Sequence, residues 1–330
     1  MIGAGSWGTA LALQFARSGR EVRLWGRDRA QLEAMTRDGV NSRYLPGADF
    51  PSHLVVATDL EQCLNGVRDM LIAVPSHGLR ETLTAVSPWL SAASRVSWAT
   101  KGFELHTGML PHQVAADVLG AERPMAVLSG PTFAEEVGAG LPTALTIASN
   151  DPELAQDLAV ALSGDNFRAY TSDDMIGVEV GGAVKNVLAI GAGMSDGLGF
   201  GANTRIALIT RGLVEMTRLG VAVGARKETF MGLAGMGDLV LTCTDNLSRN
   251  RRMGLALAGG QTVDEAQHEI RQVVEGVMAA EAVKEVADEM QIEMPICRQV
   301  YRIIYDGVSP LEAVGALMRR DLKSERDGQA

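Results

Sequence analysis

The chain has 330 residues, 46% of them hydrophobic, which favours two cores because a single core stops growing at about 250 residues. A net charge of −10 and a pI near 5.1 argue against nucleic acid or an anionic membrane surface as partner, because both require a basic footprint. Three widely separated cysteines indicate neither a disulfide framework nor a metal cluster. We therefore expect a cytoplasmic protein that binds small molecules, with no metal.

Up to about residue 172, short apolar runs alternate with helical stretches, which is typical of a doubly wound, mainly parallel α/β sheet. Only Met1 and Ile2 precede the first glycine, so we expect a truncated first strand and a natural reading frame that begins several codons upstream. The later strands are predicted at Glu21–Trp25, Leu54–Ala57, Met70–Val74, Arg95–Ala99, Met125–Leu128, Ala144–Ala148 and Phe167–Tyr170.

From about Asp173 the β-like runs disappear and helical periodicities follow, as in Thr262–Met290 and Pro310–Lys323. We therefore predict an α/β domain over residues 1–172 and an all-α domain over residues 173–330. No uncharged run reaches the ~18 residues of a membrane helix, since Glu179 and Lys185 interrupt the most apolar stretch.

The segment Gly3-Ala4-Gly5-Ser6-Trp7-Gly8 has the Gly-x-Gly-x-x-Gly spacing of a phosphate-binding turn. Such glycines permit a tight turn, close approach to a pyrophosphate and tight packing of the next helix. A ligand-free glycine turn fits the motif alone. The small-residue helix after it and the run Glu21–Trp25 at the βαβ distance favour an NAD- or NADP-binding Rossmann domain.

The residue after the second strand indicates cofactor preference, since an acidic residue there would accept from the ribose 2′-hydroxyl and repel a 2′-phosphate. This chain has Gly26-Arg27 instead. Arg27 is either a bidentate partner of a 2′-phosphate or a solvated charge at a helix start. We expect NADPH to bind at least as well as NADH.

Further motifs span nearly the whole chain, and together with the glycine turn they resemble the bacterial NAD(P)-dependent glycerol-3-phosphate dehydrogenases. They are Val74-Pro75-Ser76-His77, Trp98-Ala99-Thr100-Lys101-Gly102, Ser129-Gly130-Pro131-Thr132-Phe133-Ala134, Gly181-Gly182-Ala183-Val184-Lys185-Asn186, Gly235-Met236-Gly237-Asp238-Leu239, Thr242-Cys243-Thr244, Ser248-Arg249-Asn250-Arg251 and Val273-Val274-Glu275-Gly276.

The resemblance implies reversible reduction of dihydroxyacetone phosphate to sn-glycerol 3-phosphate, which supplies glycerophospholipid synthesis. It also implies a Rossmann domain joined to a helical domain similar to that of the 6-phosphogluconate dehydrogenases. Helical domains of this type often dimerise, so a homodimer is expected.

Lys185 is the leading proton donor, because an ammonium is costly in the apolar stretch from Val178 to Ile190 without a purpose or partner. Snorkelling from a core helix is the alternative on spacing alone. The resemblance implies that Lys185 is the proton donor and acceptor and that Lys101, after the strand Arg95–Ala99, contacts the substrate near the nicotinamide.

Asp238 follows two glycines, so a helix N-cap is its simplest role. The resemblance turns it towards the substrate, where it would either hold Lys185 or hydrogen-bond the substrate hydroxyl. Asn186 is either a neutral hydrogen-bonding group for the substrate or a helix-packing residue.

Ser248-Arg249-Asn250 stands at an apparent helix start and offers a phosphate a forked cation and helix-terminal donors. A solvated basic cluster is the alternative. The resemblance implies further substrate contacts at Gly130 and Thr132. It implies cofactor contacts at Pro75, Lys101, Ala134, Arg249, Val273 and Glu275.

Two other functions fit the same architecture. One is a dehydrogenase for a hydroxyacid or branched keto acid, whose substrates carry a carboxylate in place of a phosphate. The other is a non-catalytic NAD(P)-binding sensor, which would lack the acid/base lysine. The presence of Lys185, Asn186 and Asp238 argues against the sensor.

Overall fold

A computed structural model of the chain describes residues 1–321. The chain forms two compact units: the first comprises Met1–Lys101 and Pro111–Met175, and the second comprises Gly102–Leu110 and, within the described part of the chain, residues 176–321. Phe103 and Leu110 are buried in the core of the second unit. This explains why a short segment from the first half of the sequence belongs to that unit, which the sequence analysis did not anticipate.

The first unit is an α/β structure. Its strands are β1 (Val22–Leu24), β2 (Val40–Asn41), β3 (Leu45–Asp49), β4 (Leu54–Val56), β5 (Asp69–Ile72), β6 (Arg95–Trp98), β7 (Met125–Ser129), β8 (Thr143–Ser149) and β9 (Phe167–Ser172). Its helices are α1 (Ser6–Arg17), α2 (Arg29–Asp38), α3 (Leu60–Leu64), α4 (Leu79–Val86), α5 (Pro111–Leu119), α6 (Ala134–Gly138) and α7 (Pro152–Leu162), with short 3₁₀ turns at Ser76–Gly78 and Ser87–Trp89.

The sheet is mainly parallel, and the seven predicted strands are confirmed. Its larger part has the order β5-β6-β7-β8-β9, with only the β7–β8 pair antiparallel, and β1 pairs with β4 in parallel. Ile2 forms parallel bridges to both Trp25 and Ile72, so this single residue joins the two parts of the sheet. The antiparallel pair β2–β3 was not predicted, because two and five residues are too few to establish a period.

Local capping fixes several helices that border the sheet. Asp151 accepts from the backbone N–H groups of Glu153 and Leu154, and Pro152 occupies the first helical position of α7. Asp28 caps α2 by accepting from Gln31 N, and Gly39 ends that helix in the left-handed conformation. After β1 and after β8, the chain therefore enters the next helix through a turn whose aspartate stabilises the start of that helix.

The described part of the second unit is built of helices, as predicted. They are α8 (Met175–Gly197), α9 (Ala202–Ala222), α10 (Asp238–Thr244), α11 (Arg249–Ala258), α12 (Val263–Ile270), α13 (Glu275–Glu289), α14 (Pro295–Tyr305) and α15 (Pro310–Met318), with a 3₁₀ segment at Lys227–Met231 and a π-helical turn at Leu233–Gly237.

Two predicted helical stretches differ from the structure. The stretch Thr262–Met290 forms two helices, because Arg271 adopts a left-handed φ of 57° and ends α12. A capping box between Thr262 and Glu265 starts that helix. The stretch Pro310–Lys323 is helical to Met318, and its last two residues lie outside the described part of the chain.

Helix α8 runs through the core of the second unit. Within residues 1–321 it is the helix that is long and apolar enough to cross a membrane, yet 94% of its apolar window is buried inside the protein. A helix that is apolar on all sides is expected in such a position. Helix α8 is therefore a core helix, and it carries Lys185.

Candidate active site

The glycine turn of the first unit is shaped by two close backbone contacts. A Cβ on Gly3, whose φ is +117°, would lie 2.3 Å from Ala73 O, and a Cβ on Gly8 would lie 1.9 Å from Gly3 O. Gly5 differs, since a Cβ there would meet nothing within 4 Å. Gly3 and Gly8 therefore build the turn, whereas Gly5 leaves open space beside the start of α1.

The start of α1 has the features of a phosphate site. Gly5 is the N-cap and supplies no side-chain cap, so the first N–H groups of the helix are available to an anion. The Ser6 hydroxyl donates to Tyr44 O at 2.7 Å. The Trp7 Nε1 is buried and has no hydrogen-bond partner within residues 1–321. These residues fit the pyrophosphate of a dinucleotide.

The turn after β1 places Arg27 at the surface. Gly26 packs closely on Ala4, because a Cβ on Gly26 would lie 2.9 Å from the Ala4 Cβ. Asp28 caps α2 and pairs with Arg43 at 3.0 Å. Asp28 therefore has a structural partner already, and Arg27 is an exposed cation that directly follows Gly26, the residue packed on the glycine turn.

Other predicted residues of this unit follow the parallel strands β5, β6 and β7, whose carboxyl ends lie at one edge of the sheet. Pro75 follows β5, Lys101 follows β6, and Gly130 follows β7. Gly130 packs on β8, since its Cβ would lie 2.8 Å from Leu145 Cα. This edge is where ligands bind in open α/β sheets.

The remaining residues at this edge are held by short local contacts. The Thr132 hydroxyl donates to Gly130 O at 3.2 Å, and Ala134 is the first residue of α6. The Thr100 hydroxyl donates to Val74 O at 2.7 Å, which ties the turn before Lys101 to the turn before Pro75.

In the second unit, Lys185 forms a buried ion pair with Asp238. The Lys185 Nζ lies 2.5 Å from Asp238 Oδ1 and donates to the Thr242 hydroxyl at 3.1 Å. Only 9% of the Lys185 side chain and 1% of the Asp238 side chain are exposed. A buried ammonium with two oxygen partners is fixed in position, as a proton donor must be.

Close backbone packing holds this pair together. A Cβ on Gly181, one turn before Lys185 on α8, would lie 2.4 Å from Ala234 O in the π-helical turn. That turn leads directly into Asp238, the first residue of α10. The Thr242 hydroxyl donates to Asp238 O at 2.6 Å. The glycines of this region thus permit the approach that brings Asp238 to Lys185.

The thiol next to Thr242 contributes no charge to the pair. Burial raises the pKa of Cys243 to about 12, and the positive charge of Lys185 offsets this only in part. The thiol is therefore protonated near neutral pH, and Asp238 supplies the negative charge at Lys185.

A second set of contacts links Asn186 to the start of α11. Asn250 Nδ2 donates to Asn186 Oδ1 at 2.9 Å, and Asn250 Oδ1 accepts from Gly276 N at 2.9 Å. Asn186 Nδ2 also donates to Glu275 Oε2 at 3.3 Å. A Cβ on Gly276 would lie 2.7 Å from both Asn186 O and Asn250 Oδ1. Helices α8, α11 and α13 therefore meet at these amides.

Arg249 stands at the edge of this set. It is the first residue of α11, its guanidinium lies 3.9 Å from Glu275 Oε1, and its side chain is 35% exposed. The Ser248 hydroxyl caps α11 by accepting from Arg251 N at 3.2 Å. Val273, the remaining predicted cofactor residue, is 47% exposed.

The structure thus brings together Lys185 with Asp238, and Asn186 with Asn250, Glu275 and Arg249. Thr242, Gly181 and Gly276 take part in these contacts and were not singled out by the sequence analysis, although all three lie within the quoted motifs. Among residues 1–321, no group of three or more His, Cys, Asp or Glu side chains could hold a metal ion.

Both halves of the chain match models of one protein family. Residues 1–155 match the NAD-dependent glycerol-3-phosphate dehydrogenase N-terminus, and residues 174–315 match the C-terminus of the same family.

Individual relatives agree with this match. The NAD(P)-dependent glycerol-3-phosphate dehydrogenase of Thioalkalivibrio sulfidiphilus is 54% identical over 325 residues, with 98% of each chain covered. That of Nitrosococcus oceani is 55% identical, with 98% of this chain and 94% of the relative covered. The crystal structure of glycerol-3-phosphate dehydrogenase from Coxiella burnetii superposes with a TM-score of 0.94 at 51% identity, covering 97% of this chain and 98% of that one. The chain therefore belongs to the NAD(P)-dependent glycerol-3-phosphate dehydrogenase family.

Proposed function

We propose that the chain is a glycerol-3-phosphate dehydrogenase that reversibly reduces dihydroxyacetone phosphate to sn-glycerol 3-phosphate with NADPH or NADH. The observation that carries the proposal is the buried Lys185, held by Asp238 and Thr242. In this reaction the ketone carbon gains a hydride and its oxygen gains a proton. The protein must supply the proton and stabilise the charge that develops on the oxygen.

The nicotinamide cofactor, when bound, supplies the hydride. The glycine turn and the start of α1 hold its pyrophosphate through backbone N–H groups. Arg27 binds the 2′-phosphate of NADP. The residues assigned to the cofactor are Gly3, Gly5, Ser6, Trp7, Gly8, Arg27, Pro75, Lys101, Ala134, Arg249, Val273 and Glu275.

Lys185 donates the proton to the ketone oxygen in reduction and accepts it in the reverse direction. Asp238 keeps the ammonium charged and in place, which is supported by the 2.5 Å ion pair. Lys101 polarises the carbonyl as a second cation. An ammonium donor that strengthens its hydrogen bond as the alkoxide develops lowers the barrier, because it binds the transition state more tightly than the ketone.

The phosphate of the substrate binds at the start of α11. Arg249 supplies a forked cation, while Ser248 and Asn250 add polar groups and the helix N-terminus favours the anion. The amide of Asn186, which accepts from Asn250, faces the same group of helices. Gly130 and Thr132 are further substrate contacts.

We propose residues 1–172 as the cofactor domain and residues 173–330 as the substrate-binding and catalytic domain, the latter similar to that of the 6-phosphogluconate dehydrogenases. The protein is a cytoplasmic homodimer whose product supplies phospholipid synthesis. No nucleic acid or membrane partner is needed.

Steady-state kinetics test this function directly. Purified protein is assayed with NADPH and with NADH against dihydroxyacetone phosphate, a hydroxyisobutyrate-type substrate and a ketopantoate-type substrate. A kcat/KM for dihydroxyacetone phosphate that exceeds the others by about 10³-fold or more is expected, because substrates that lack the phosphate lose the charge-assisted hydrogen bonds proposed at Arg249 and the start of α11. Higher activity on either carboxylate substrate would overturn the proposal.

A further inference from the structure

A buried charged cluster lies at the C-terminal end of α8, outside the ion pair of Lys185. Asp196 accepts from Arg205 Nη1 with both carboxylate oxygens, at 2.9 and 2.8 Å, and from Arg251 Nη2 at 2.5 Å. The side chains of Asp196 and Arg251 are each 10% exposed, and that of Arg205 is 28% exposed. One carboxylate on α8 thus holds cations from two other helices, α9 and α11.

Arg251 connects this cluster to the proposed phosphate site. It lies in the first turn of α11, two residues after Arg249 and next to Asn250. Its backbone N–H donates to the capping hydroxyl of Ser248, and its guanidinium also donates to Asn246 Oδ1 just before the helix. Because side chain and backbone are both held, the orientation of the first turn of α11 depends on the contact with Asp196.

The packing of α8 against α11 explains why a polar anchor is needed. A Cβ on Gly193 would lie 2.0 Å from Arg251 O, and a Cβ on Gly254 would lie 2.0 Å from Ile190 O. The two backbones therefore approach closely through glycines. Because glycines have no side chains that interlock, this contact only weakly prevents α8 and α11 from sliding along each other. A charged hydrogen bond between Asp196 and Arg251 fixes the register directionally.

We propose that Asp196 is a positioning residue that, through Arg251, sets the first turn of α11 so that Arg249 and Asn250 meet the phosphate of the substrate. This rests on the proposed function of Arg249 and Asn250. Asp196 itself touches neither substrate nor cofactor; it acts on substrate affinity by way of the helix. The Arg205 contact to the same carboxylate serves the junction of α8 with α9 and does not reach the phosphate site.

The two arginines provide a matched pair of variants. Arg251→Lys and Arg205→Lys each keep the positive charge and replace the fork with a shorter ammonium on the same carboxylate. Arg251→Lys is expected to raise the KM for dihydroxyacetone phosphate about 10-fold, with kcat and the KM for NADPH changed less than 2-fold. Arg205→Lys is expected to leave all three within 2-fold.

A compensating variant shows that the contact itself matters. Glutamate is longer than aspartate by one methylene and lysine is shorter than arginine. Asp196→Glu combined with Arg251→Lys is therefore expected to recover at least half of the lost affinity. Thermal unfolding of every variant reports folding separately, and binding of glycerol 3-phosphate by titration calorimetry provides a readout independent of turnover.

The outcomes are distinct. A selective rise in the KM for dihydroxyacetone phosphate in Arg251→Lys, with recovery in the double variant, supports the positioning role. Equal losses of thermal stability in Arg251→Lys and Arg205→Lys with unchanged KM values would overturn it, as would equal rises in KM in both. Arg249→Lys distinguishes a failure of the proposed phosphate site from a failure of the positioning role of Asp196. If the KM of this variant for dihydroxyacetone phosphate is normal, the proposed phosphate site is wrong. If that KM rises while Arg251→Lys is normal, the role of Asp196 alone fails.

Discussion

Lys185 and Asp238 lie 53 positions apart in the sequence, and their side chains form a 2.5 Å ion pair in the buried part of the second unit. Each charge is costly to bury alone, and each is stabilised by the other. The charge of the Lys185 ammonium therefore depends on the presence of the Asp238 carboxylate.

Replacing Asp238 with asparagine should change the pH dependence of turnover. The substitution keeps the shape of the side chain but removes its charge, so burial then favours the uncharged amine of Lys185. Only the protonated lysine donates to the ketone, so we expect kcat for reduction to fall about 10- to 100-fold at pH 7. The decline with rising pH should also begin at lower pH than in the wild type. The kcat–pH profile in the reduction direction, from pH 6 to 9, measures this.

The matched control for that experiment is Glu289→Gln, which removes an exposed carboxylate near the end of α13 and changes the net charge equally. It should reproduce the wild-type profile. If Asp238→Asn also reproduces it, Asp238 does not maintain the charge of Lys185.

Gly5→Ala should weaken cofactor binding without affecting the fold. Gly5 has a φ of −80°, which alanine adopts readily, and its Cβ would meet no protein atom within 4 Å. The added methyl group occupies the space assigned to the pyrophosphate. We expect the KM for NADPH to rise about 10-fold or more, since a hydrogen bond to a charged group contributes about 1.5–3 kcal/mol and the methyl group displaces the pyrophosphate from such bonds. The melting temperature should stay unchanged.

Gly201 offers a close structural control, since it is the N-cap of α9 with a φ of −79° and equally open surroundings. Gly201→Ala should leave both the KM for NADPH and the melting temperature unchanged. A normal KM in Gly5→Ala would show that the open space at α1 is not the pyrophosphate site.

Arg27→Ala should remove discrimination in favour of NADPH. A charge-assisted contact to a phosphate contributes about 1.5–3 kcal/mol, so we expect the KM for NADPH to rise about 10- to 100-fold while the KM for NADH changes less than twofold. Arg29→Ala removes a nearby exposed cation that pairs with Glu33 and should have neither effect. Unchanged cofactor discrimination in the Arg27 variant would refute the 2′-phosphate assignment.

Glu215→Gln should alter how stability depends on pH. Burial raises the pKa of Glu215 to about 7, although the N–H groups of Ile296 and Cys297 at the start of α14 donate to its carboxylate and oppose this rise. Between the unfolded value of 4.5 and 7, the unfolded chain releases the proton while the folded chain retains it. The free energy of unfolding of the wild type therefore falls as pH rises through this window, and the loss is complete above pH 7.

The size of this loss is roughly 3 kcal/mol, since one pKa unit corresponds to about 1.4 kcal/mol. Urea denaturation of wild type and Glu215→Gln at half-unit steps from pH 4.5 to 8 measures it. The variant has no proton to lose at this position. The difference between the free energies of unfolding of the two proteins should therefore change between pH 4.5 and 7 and become constant above pH 7. Parallel curves at all pH values would show that Glu215 ionises normally.

Much of the fold follows from periodicity in the sequence. The strands β5 to β9 were predicted because short apolar runs alternate there with helical stretches, and the second half was predicted to be helical because β-like runs disappear from about Asp173. The short pair β2–β3 was missed, as was the break at Arg271, where the helical period continues although the backbone adopts a left-handed conformation. The break carries no local signal, because the residue in the left-handed conformation is an arginine and not the glycine or asparagine that commonly ends a helix.

The candidate site was predictable by residue type but not by partnership. The buried position of Lys185 was expected from its apolar neighbours. For Asp238, contact with Lys185 was one of two roles left open, the other being a hydrogen bond to the substrate hydroxyl. The contact to Thr242 and the close approach at Gly276 depend on packing between segments far apart in the sequence. No single segment carries a signal for either contact. Asp196 likewise has no local pattern that marks it, since its two arginines belong to other helices.

The most direct test of the account is the single-turnover rate of Lys185→Ala with saturating NADPH and dihydroxyacetone phosphate. Thermal unfolding is followed in parallel, and the variant is also made with Asp238→Asn so that no unpaired carboxylate is left buried. If Lys185 is the proton donor, the rate falls by about 10²- to 10⁴-fold in both proteins, and the KM for dihydroxyacetone phosphate changes little. A rate close to that of the wild type in a folded variant would contradict this role.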